Sequence, residues 1–258
     1  MAKETYYYGQ GKLYLAVILA NGTLGKWRWV GDVSSLSGSM QETAITHEES
    51  FSGKKGRVRE FFVSPQLSMA ATLHSLGPEN VTMFTQGTAT DTLAGVVASE
   101  TLQAGLEPGD VVMLENPGVT DLVITDSAAT PAGLDEEHYI LDPRFGSIEL
   151  VSLPETPPTQ PFIAAYSFAA NTQVSFLSAN TRPNVALRYE GINLAEGGAP
   201  VIMELYKMSP SLLQELSMIT DGNQVAGMPI ALNALLDTSK PANGPLGQYG
   251  RIIQVGAA

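Results

Sequence analysis

Three consecutive residues, His47, Glu48 and Glu49, are of the types that bind metals or transfer protons. A zinc site on a helix commonly has a second histidine four residues away, and the chain has none at that spacing. The cluster also adjoins a stretch rich in Ser, Gly and Lys, residues 50–56. We therefore interpret it as a set of charges on a solvated loop and predict no metal site there.

Catalytic motifs elsewhere in the chain are incomplete. The sequence contains no Gly-x-Ser-x-Gly elbow, and the absence of cysteine excludes disulfides and thiolate catalysis. The acidic residues 135–137 would serve a glycosidase only across a cleft, and a solvated turn is the simpler interpretation. Gly244, Gly247 and Gly250 lack the flanking strand and helix of a dinucleotide site. We predict a protein without enzymatic activity and without a cofactor.

A cluster of basic residues lies within and directly after the loop 50–56, close to Phe51. Single-stranded nucleic acids bind basic grooves that carry aromatic side chains, but the net charge of −12 argues against that interpretation. We favour a contact between copies of the chain over residues 46–59, with Phe51 as an apolar anchor and the basic side chains meeting an acidic surface. The predicted contact residues are His47, Glu48, Glu49, Phe51, Lys54, Lys55, Arg57 and Arg59.

The charge is unevenly spread along the chain. Residues 1–59 hold 8 Lys and Arg against 5 Asp and Glu, whereas residues 60–258 hold 6 against 21. The net charges of the two segments are therefore +3 and −15. Such a distribution permits head-to-tail matching between copies. With 44% hydrophobic residues, no apolar run long enough to cross a membrane and no signal-peptide pattern, we expect a soluble globular protein made in a cytoplasm.

The elements that would position these residues are predicted to be strands. Residues 12–20 and 26–30 flank the turn signal Asn21-Gly22 and predict a β-hairpin. Residues 34–45 and 58–63 predict two strand arms around a tip at 46–56, with Phe62 turned inward. Residues 142–146, Asp-Pro-Arg-Phe-Gly, predict a turn between two further strands.

One helix is predicted over residues 64–77, because Ser64-Pro65 resembles a helix start and Gly77-Pro78 a stop. A strand over 79–84 and a short second helix over 209–216 are also expected. Further strands are predicted at 164–168, 172–177, 186–192, 201–206 and 251–255. The fold class is thus mainly β, a β-sandwich or barrel with one flanking α-helix and a long inter-strand loop.

The order of these features resembles the major tail tube proteins of long, non-contractile-tailed bacteriophages. Each motif is short, and the resemblance spans most of the chain. The motifs that carry it are residues 9–15, Gly-Gln-Gly-Lys-Leu-Tyr-Leu; 29–33, Trp-Val-Gly-Asp-Val; 47–53, His-Glu-Glu-Ser-Phe-Ser-Gly; 139–148, Tyr-Ile-Leu-Asp-Pro-Arg-Phe-Gly-Ser-Ile; 187–193, Leu-Arg-Tyr-Glu-Gly-Ile-Asn; and 245–251, Pro-Leu-Gly-Gln-Tyr-Gly-Arg.

The resemblance implies a structural virion protein with a single tail-tube domain over residues 1–258 and an enlarged region at about 87–185. Such subunits form rings, usually hexameric, that stack into a tube for DNA ejection. The long loop would reach a neighbouring subunit or ring. The implied partners are other copies, the tape measure protein and the terminator or distal tail proteins, while genomic DNA passes through the lumen without specific binding. The implied location is the phage tail, with no membrane association.

A second class of protein stays open. A carbohydrate-binding β module would stack sugars on Trp27 and Trp29, which lie at alternate positions of one predicted strand. Buried core aromatics show the same spacing, and we favour the core interpretation for both tryptophans. A hydrolase built on the acidic residues is a third class, disfavoured by the missing motifs.

Overall fold

The computed structural model describes residues 4–223 and 225–255. The fold is mainly β, as predicted, and one α-helix, α1 (Pro78–Thr85), occurs in this part of the chain. The strands are β1 (Gly9–Val17), β2 (Arg28–Trp29), β3 (Val33–Glu48), β4 (Arg57–Leu73), β5 (Thr88–Thr92), β6 (Gly95–Thr101), β7 (Val111–Met113), β8 (Val119–Thr125), β9 (Tyr139–Asp142), β10 (Ser147–Leu150), β11 (Ile163–Phe168), β12 (Asn171–Ser175), β13 (Val185–Asn193), β14 (Ala199–Pro210), β15 (Met228–Ala234) and β16 (Gly250–Gln254).

The chain forms two compact units. The larger unit takes the described residues up to Thr88 and from Val174 onward, and the smaller unit is the continuous segment Ala89–Gln173. The smaller unit falls within the enlarged region that the sequence delimits at about 87–185. Strands β5 and β12 form a two-stranded ribbon where the chain leaves the larger unit and returns to it.

The larger unit is built on an eight-stranded antiparallel sheet. Its strand order is β2-β1-β13-β14-β15-β4-β3, and β16 pairs with β14 beside this path. Alternate residues of the central strands point to one face and form the core, which includes Leu13, Leu187, Met208, Leu232 and Leu73. Phe84 of α1 is buried in the same core, so the helix covers part of this face.

The smaller unit has a core of its own between two three-stranded sheets. The sheet orders are β6-β11-β8 and β7-β10-β9. Alternating residues such as Val112, Ile148, Ala164 and Tyr166 are buried in this second core. The turn predicted at 142–146 joins β9 to β10, and Gly146 adopts the positive φ of 69° that such a turn requires.

The predicted helix over 64–77 is wrong, because residues 64–73 are the second half of β4 and residues 74–77 form no regular element. Ser64 has a φ of 54° and lies at a bulge opposite β3 rather than capping a helix. Beyond the bulge, Met69, Ala71 and Leu73 alternate into the core, so the pattern has a period of two. The helix instead covers the whole of the predicted strand 79–84, with Pro78 in its first turn.

Three further expectations are corrected by the structure. Residues 211–216 contain no regular helix, and Ser209 and Pro210 end β14. Phe62 is not turned inward but is 61% exposed. Trp27 and Trp29 are 43% and 51% exposed, so they are not core residues. Trp29 pairs with Tyr14 at the edge of the sheet, where β2 has only two residues and offers little cover.

Candidate functional site

The hairpin of β3 and β4 extends beyond the hydrophobic core of the larger unit. Only its base, at Val33 and Leu36 of β3 and from Leu67 to Leu73 of β4, packs against the core cluster. The distal half continues beyond the bulge and is solvent-exposed along most of both strands. Isolated two-stranded hairpins are at best marginally stable in water. The distal half is therefore the part of this unit that most needs another surface.

The distal half exposes apolar side chains on both of its faces. Ile45 lies opposite Phe61 across the hairpin, and Ala44 lies opposite Phe62 in the neighbouring row. Neighbouring rows of a β-ladder point to opposite faces, so Phe61 and Phe62 face in opposite directions. Both phenylalanines are at least half exposed. A hairpin that is apolar on both faces is suited to lie between two surfaces rather than against one.

The tip between the strands, residues 49–56, is ordered by Glu49. The N–H groups of Phe51 and Ser52 donate to Glu49 Oε2 at 2.9 and 2.8 Å, and the Ser52 hydroxyl donates to Oε1. The Glu49 N–H also donates to the Gly56 carbonyl at 2.9 Å, which closes the tip. The Ser52 hydroxyl and N–H stabilise the carboxylate and lower the pKa of Glu49 from 4.5 to about 2. The tip thus holds a defined shape.

The structure brings the predicted contact residues together on this hairpin. His47 and Glu48 end β3 opposite Arg59 and Arg57 of β4. Phe51 is 87% exposed, while Lys54 and Lys55 are exposed on the same tip. Glu49 differs from the others because it is 8% exposed and bonds within the tip. The ion pair of Arg57 with Glu60, at 3.5 Å, is exposed and contributes little to stability.

Two free strand edges were not foreseen from the sequence. β3 is the last strand of its sheet, so within residues 4–223 and 225–255 no strand pairs with its outer edge over 16 residues. At the other end of the sheet, β2 covers the outer edge of β1 only at Tyr14 and Leu15, and in the described structure no strand pairs with the outer edge of the first residues of β1. Free edges of this length pair readily with other strands.

A groove of about 1820 Å³ lies between these two edges. Its walls are the first half of β1 and the first half of β3, and its floor includes Leu67, Tyr189 and Met203. The sheet therefore curves without closing into a barrel. Alternation over residues 67–73 is the sequence signal that could have extended the predicted strand arm 58–63 to the full β4.

The two units differ sharply in charge. The smaller unit, residues 89–173, contains 13 Asp and Glu but only one basic residue, Arg144. The rest of the chain contains 13 Lys and Arg and 13 Asp and Glu. The entire net charge of −12 is thus that of the smaller unit, and the larger unit is neutral. The charge of the chain therefore changes at the boundary between the two units, and not at residue 59, where the charge count of the sequence was divided.

Other kinds of site were sought in the described residues. No group of three or more His, Asp or Glu side chains there is arranged to hold a metal ion. No helix among them is long and apolar enough to cross a membrane. Within the smaller unit, Tyr166 of β11 donates a hydrogen bond to Glu100 of β6 at 2.5 Å, and the Ala132 N–H donates to Asp126 in a loop at 2.8 Å.

The fold and the exposed hairpin define a mainly β protein that presents free strand edges and an apolar arm. By sequence, the chain belongs to the family described as protein of unknown function UCP028589, which matches residues 6–253. This match covers both units, so the family model includes the smaller unit. A comparison with curated proteins found no match.

Proposed function

We propose that this protein is a structural subunit that self-assembles through the hairpin of β3 and β4, as the tail tube proteins it resembles do. The observation that carries the proposal is the distal half of this hairpin, which is apolar on both faces and stands at a free sheet edge. An arm of this kind exposes phenylalanines that a monomeric protein would bury or replace. Its exposure is explained if other copies cover it.

The free edges supply a second mode of contact. β3 lies at one end of the sheet order, and β1 with the short β2 lies at the other. Pairing β3 of one copy with β1 of the next would extend the sheet and satisfy the exposed backbone groups of both strands. This contact joins two different surfaces, so it is heterologous and generates a ring or an open filament. Stacked rings of this kind would form a tube.

The tube would be part of a virion and would conduct DNA without binding it, with tape measure and terminator proteins as further partners. These finer statements rest on the resemblance of the sequence motifs. The charge of the larger unit is compatible with them, since its 13 basic residues are balanced by 13 acidic ones. A neutral sheet offers phosphates no excess of cations to release on binding.

The test is electron microscopy and sedimentation of the purified chain over a range of concentration and salt. We expect rings or tubes from the unmodified protein and folded monomers after deletion of residues 47–56. The variant Leu93→Ser is the control, because Leu93 is 82% exposed, close to the 87% of Phe51, but lies outside the hairpin. Assembly of the deletion variant to the same extent as the unmodified chain would refute the role of the hairpin.

A carbohydrate-binding function has one observation in its favour, the exposure of Trp27 and Trp29. One face of Trp29 is already occupied, because the Lys12 ammonium lies 5.5 Å from the centre of its ring. A sugar would have to use the opposite face or displace the lysine. Glycan-array binding that is lost in Trp27→Ala and Trp29→Ala would support this second candidate over assembly.

A further inference from the structure

The sheet β7-β10-β9 of the smaller unit has an outer face that combines apolar and acidic side chains. Glu149 at the middle of the sheet lies opposite Val111 on one side and Ile140 on the other. Two rows away, on the same face, Ser147 lies opposite Met113. The alternate residues Val112 and Ile148 point into the core, so Val111, Met113, Ile140 and Glu149 share the outer face.

This face is exposed, and the only basic residue of the smaller unit is already paired. Val111, Met113 and Ile140 are each more than half exposed. None of the ion pairs in the described residues involves Glu149. Glu149 is itself exposed, so its carboxylate is open to a cation from another copy. Arg144, the single basic residue of the unit, is paired with Asp142 at 3.1 Å.

The hairpin tip has the complementary composition. Residues 50–56 contain Phe51, Lys54 and Lys55 and no acid. Glu49 forms no ion pair with either lysine, because its carboxylate is turned into the tip and accepts hydrogen bonds from Ser52 and Phe51. The tip thus presents one large aromatic side chain beside two cations, in a conformation that is already ordered. Ordering before contact lowers the entropy cost of binding.

We propose that the tip of one copy docks on the outer face of β7-β10-β9 in the smaller unit of another copy. Phe51 packs against Val111, Met113 and Ile140, and Lys54 or Lys55 pairs with Glu149. The inference rests on the proposed self-assembly and assigns the acidic partner surface of the arm. It also gives the smaller unit a role, since a neutral larger unit offers the lysines no comparable excess of carboxylates.

The contact is heterologous, which makes it testable with two variants of the full chain. The tip variant is Phe51→Ser with Lys54→Glu and Lys55→Glu. The face variant is Val111→Thr with Met113→Thr and Glu149→Lys. The matched control is Val96→Thr with Val123→Thr and Glu155→Lys, which alters exposed residues of the same unit on its other sheet and in a loop. Circular dichroism checks that each variant is folded.

Each assembly-defective variant retains one intact half of the contact. The tip variant keeps a normal face, and the face variant keeps a normal tip. We expect each alone to raise the critical concentration for assembly by at least about tenfold, the size of effect expected for loss of a binding hot spot. We expect their equimolar mixture to contain a 1:1 heterodimer that neither variant forms alone, detected by analytical ultracentrifugation and favoured at low salt.

The outcomes separate this inference from the proposed function. Tip and face variants that assemble like the control overturn the docking contact and leave assembly through the strand edges intact. Two defective variants that form no heterodimer on mixing also overturn it, because the tip would then bind elsewhere. An unmodified chain that stays monomeric under all conditions refutes the proposed assembly, and the docking contact with it.

Discussion

The carboxylate of Glu49 and the backbone of Ser52 are joined at the hairpin tip by a hydrogen bond of 2.8 Å, from the Ser52 N–H to Glu49 Oε2. The Ser52 hydroxyl donates to the other carboxylate oxygen. This relationship converts a polar loop of eight residues, 49–56, into a structured turn. It also explains why Glu49 is among the few buried acidic residues of the described chain.

Replacing Glu49 with Gln should loosen the tip without unfolding the protein. An amide accepts weaker hydrogen bonds than a carboxylate, so the Phe51 and Ser52 N–H groups should exchange faster with solvent. Because the folded state lowers the pKa of Glu49 from 4.5 to about 2, this stabilisation is complete above pH 4.5 and is lost as the pH falls towards 2. Hydrogen exchange of the tip measured against pH tests both expectations.

The low-pH loss should be absent in the Glu49→Gln variant, which has no carboxylate to protonate. Protection of the tip amides that falls steeply below pH 4 in both proteins would contradict the assignment, since another group would then be responsible. Glu48→Gln is the neighbouring control, because Glu48 lies on the strand outside the bonded tip.

Replacing Phe61 and Phe62 with Ser should leave the stability of the monomer nearly unchanged. Both side chains are largely solvent-exposed, and substitutions at such positions usually alter the free energy of unfolding by less than about 0.5 kcal/mol. The same change should reduce binding of a hydrophobic dye to the monomer. Urea unfolding and dye fluorescence measure the two effects, and a loss of several kcal/mol would mean that the phenylalanines are buried in solution.

Replacing Asn80 with Ala should destabilise the larger unit by about 1–3 kcal/mol, the usual cost of leaving buried polar groups unpaired. The Asn80 amide donates to the carbonyls of Val30 and Ser75 at 2.8 and 2.9 Å, and its oxygen accepts from Arg28 at 2.6 Å. The substitution leaves all three partner groups without their hydrogen bonds to residue 80. Asn80→Asp should not rescue stability, because it restores the acceptor but neither donor. Asn233→Ala, at an exposed site, is the control in urea unfolding.

Replacing Asp126 with Asn should lower the melting temperature of the smaller unit at neutral pH. The N–H groups of Ala132 and Thr159 donate to the carboxylate at 2.8 and 3.2 Å and join two loops. The Ala132 bond is the main reason that the pKa of Asp126 lies below its usual 3.8. The stabilisation is therefore present above pH 3.8 and declines below it. Calorimetry should show the difference between the two proteins shrinking with acid.

Local turn chemistry made much of the β-structure predictable. Asn21-Gly22 and the turn at 142–146 lie between paired strands as expected, because such residues favour tight turns whatever surrounds them. The strand arms of the hairpin were also predicted, although β3 and β4 extend further toward the tip and the core. The helix was misplaced because Met69 and Leu73 fit helical spacing as well as alternation, and Gly77-Pro78 can end one helix or begin another.

The features that make the site depend on contacts that sequence spacing does not encode. Whether β3 has a neighbour is decided by the order of strands in the sheet, and Gly9 of β1 pairs with Asn193 far along the chain. Exposure of Phe62 and Trp29 follows from where the core ends, which periodicity alone leaves open. The net negative charge of residues 89–173 could be recognised as that of one unit only once the boundary between the units was known.

The discontinuity of the larger unit also sets an order of events during synthesis. Residues 89–173 emerge from the ribosome as a complete unit, while β1 still lacks β13 and β4 still lacks β15. The smaller unit can therefore fold first, as contiguous domains do during translation. Strands β13 to β16, which complete the sheet, are made after the smaller unit. Under the proposed self-assembly, a nascent chain would carry its exposed hairpin before the finished sheet that accepts a neighbour, so assembly would wait for the synthesis of these four strands.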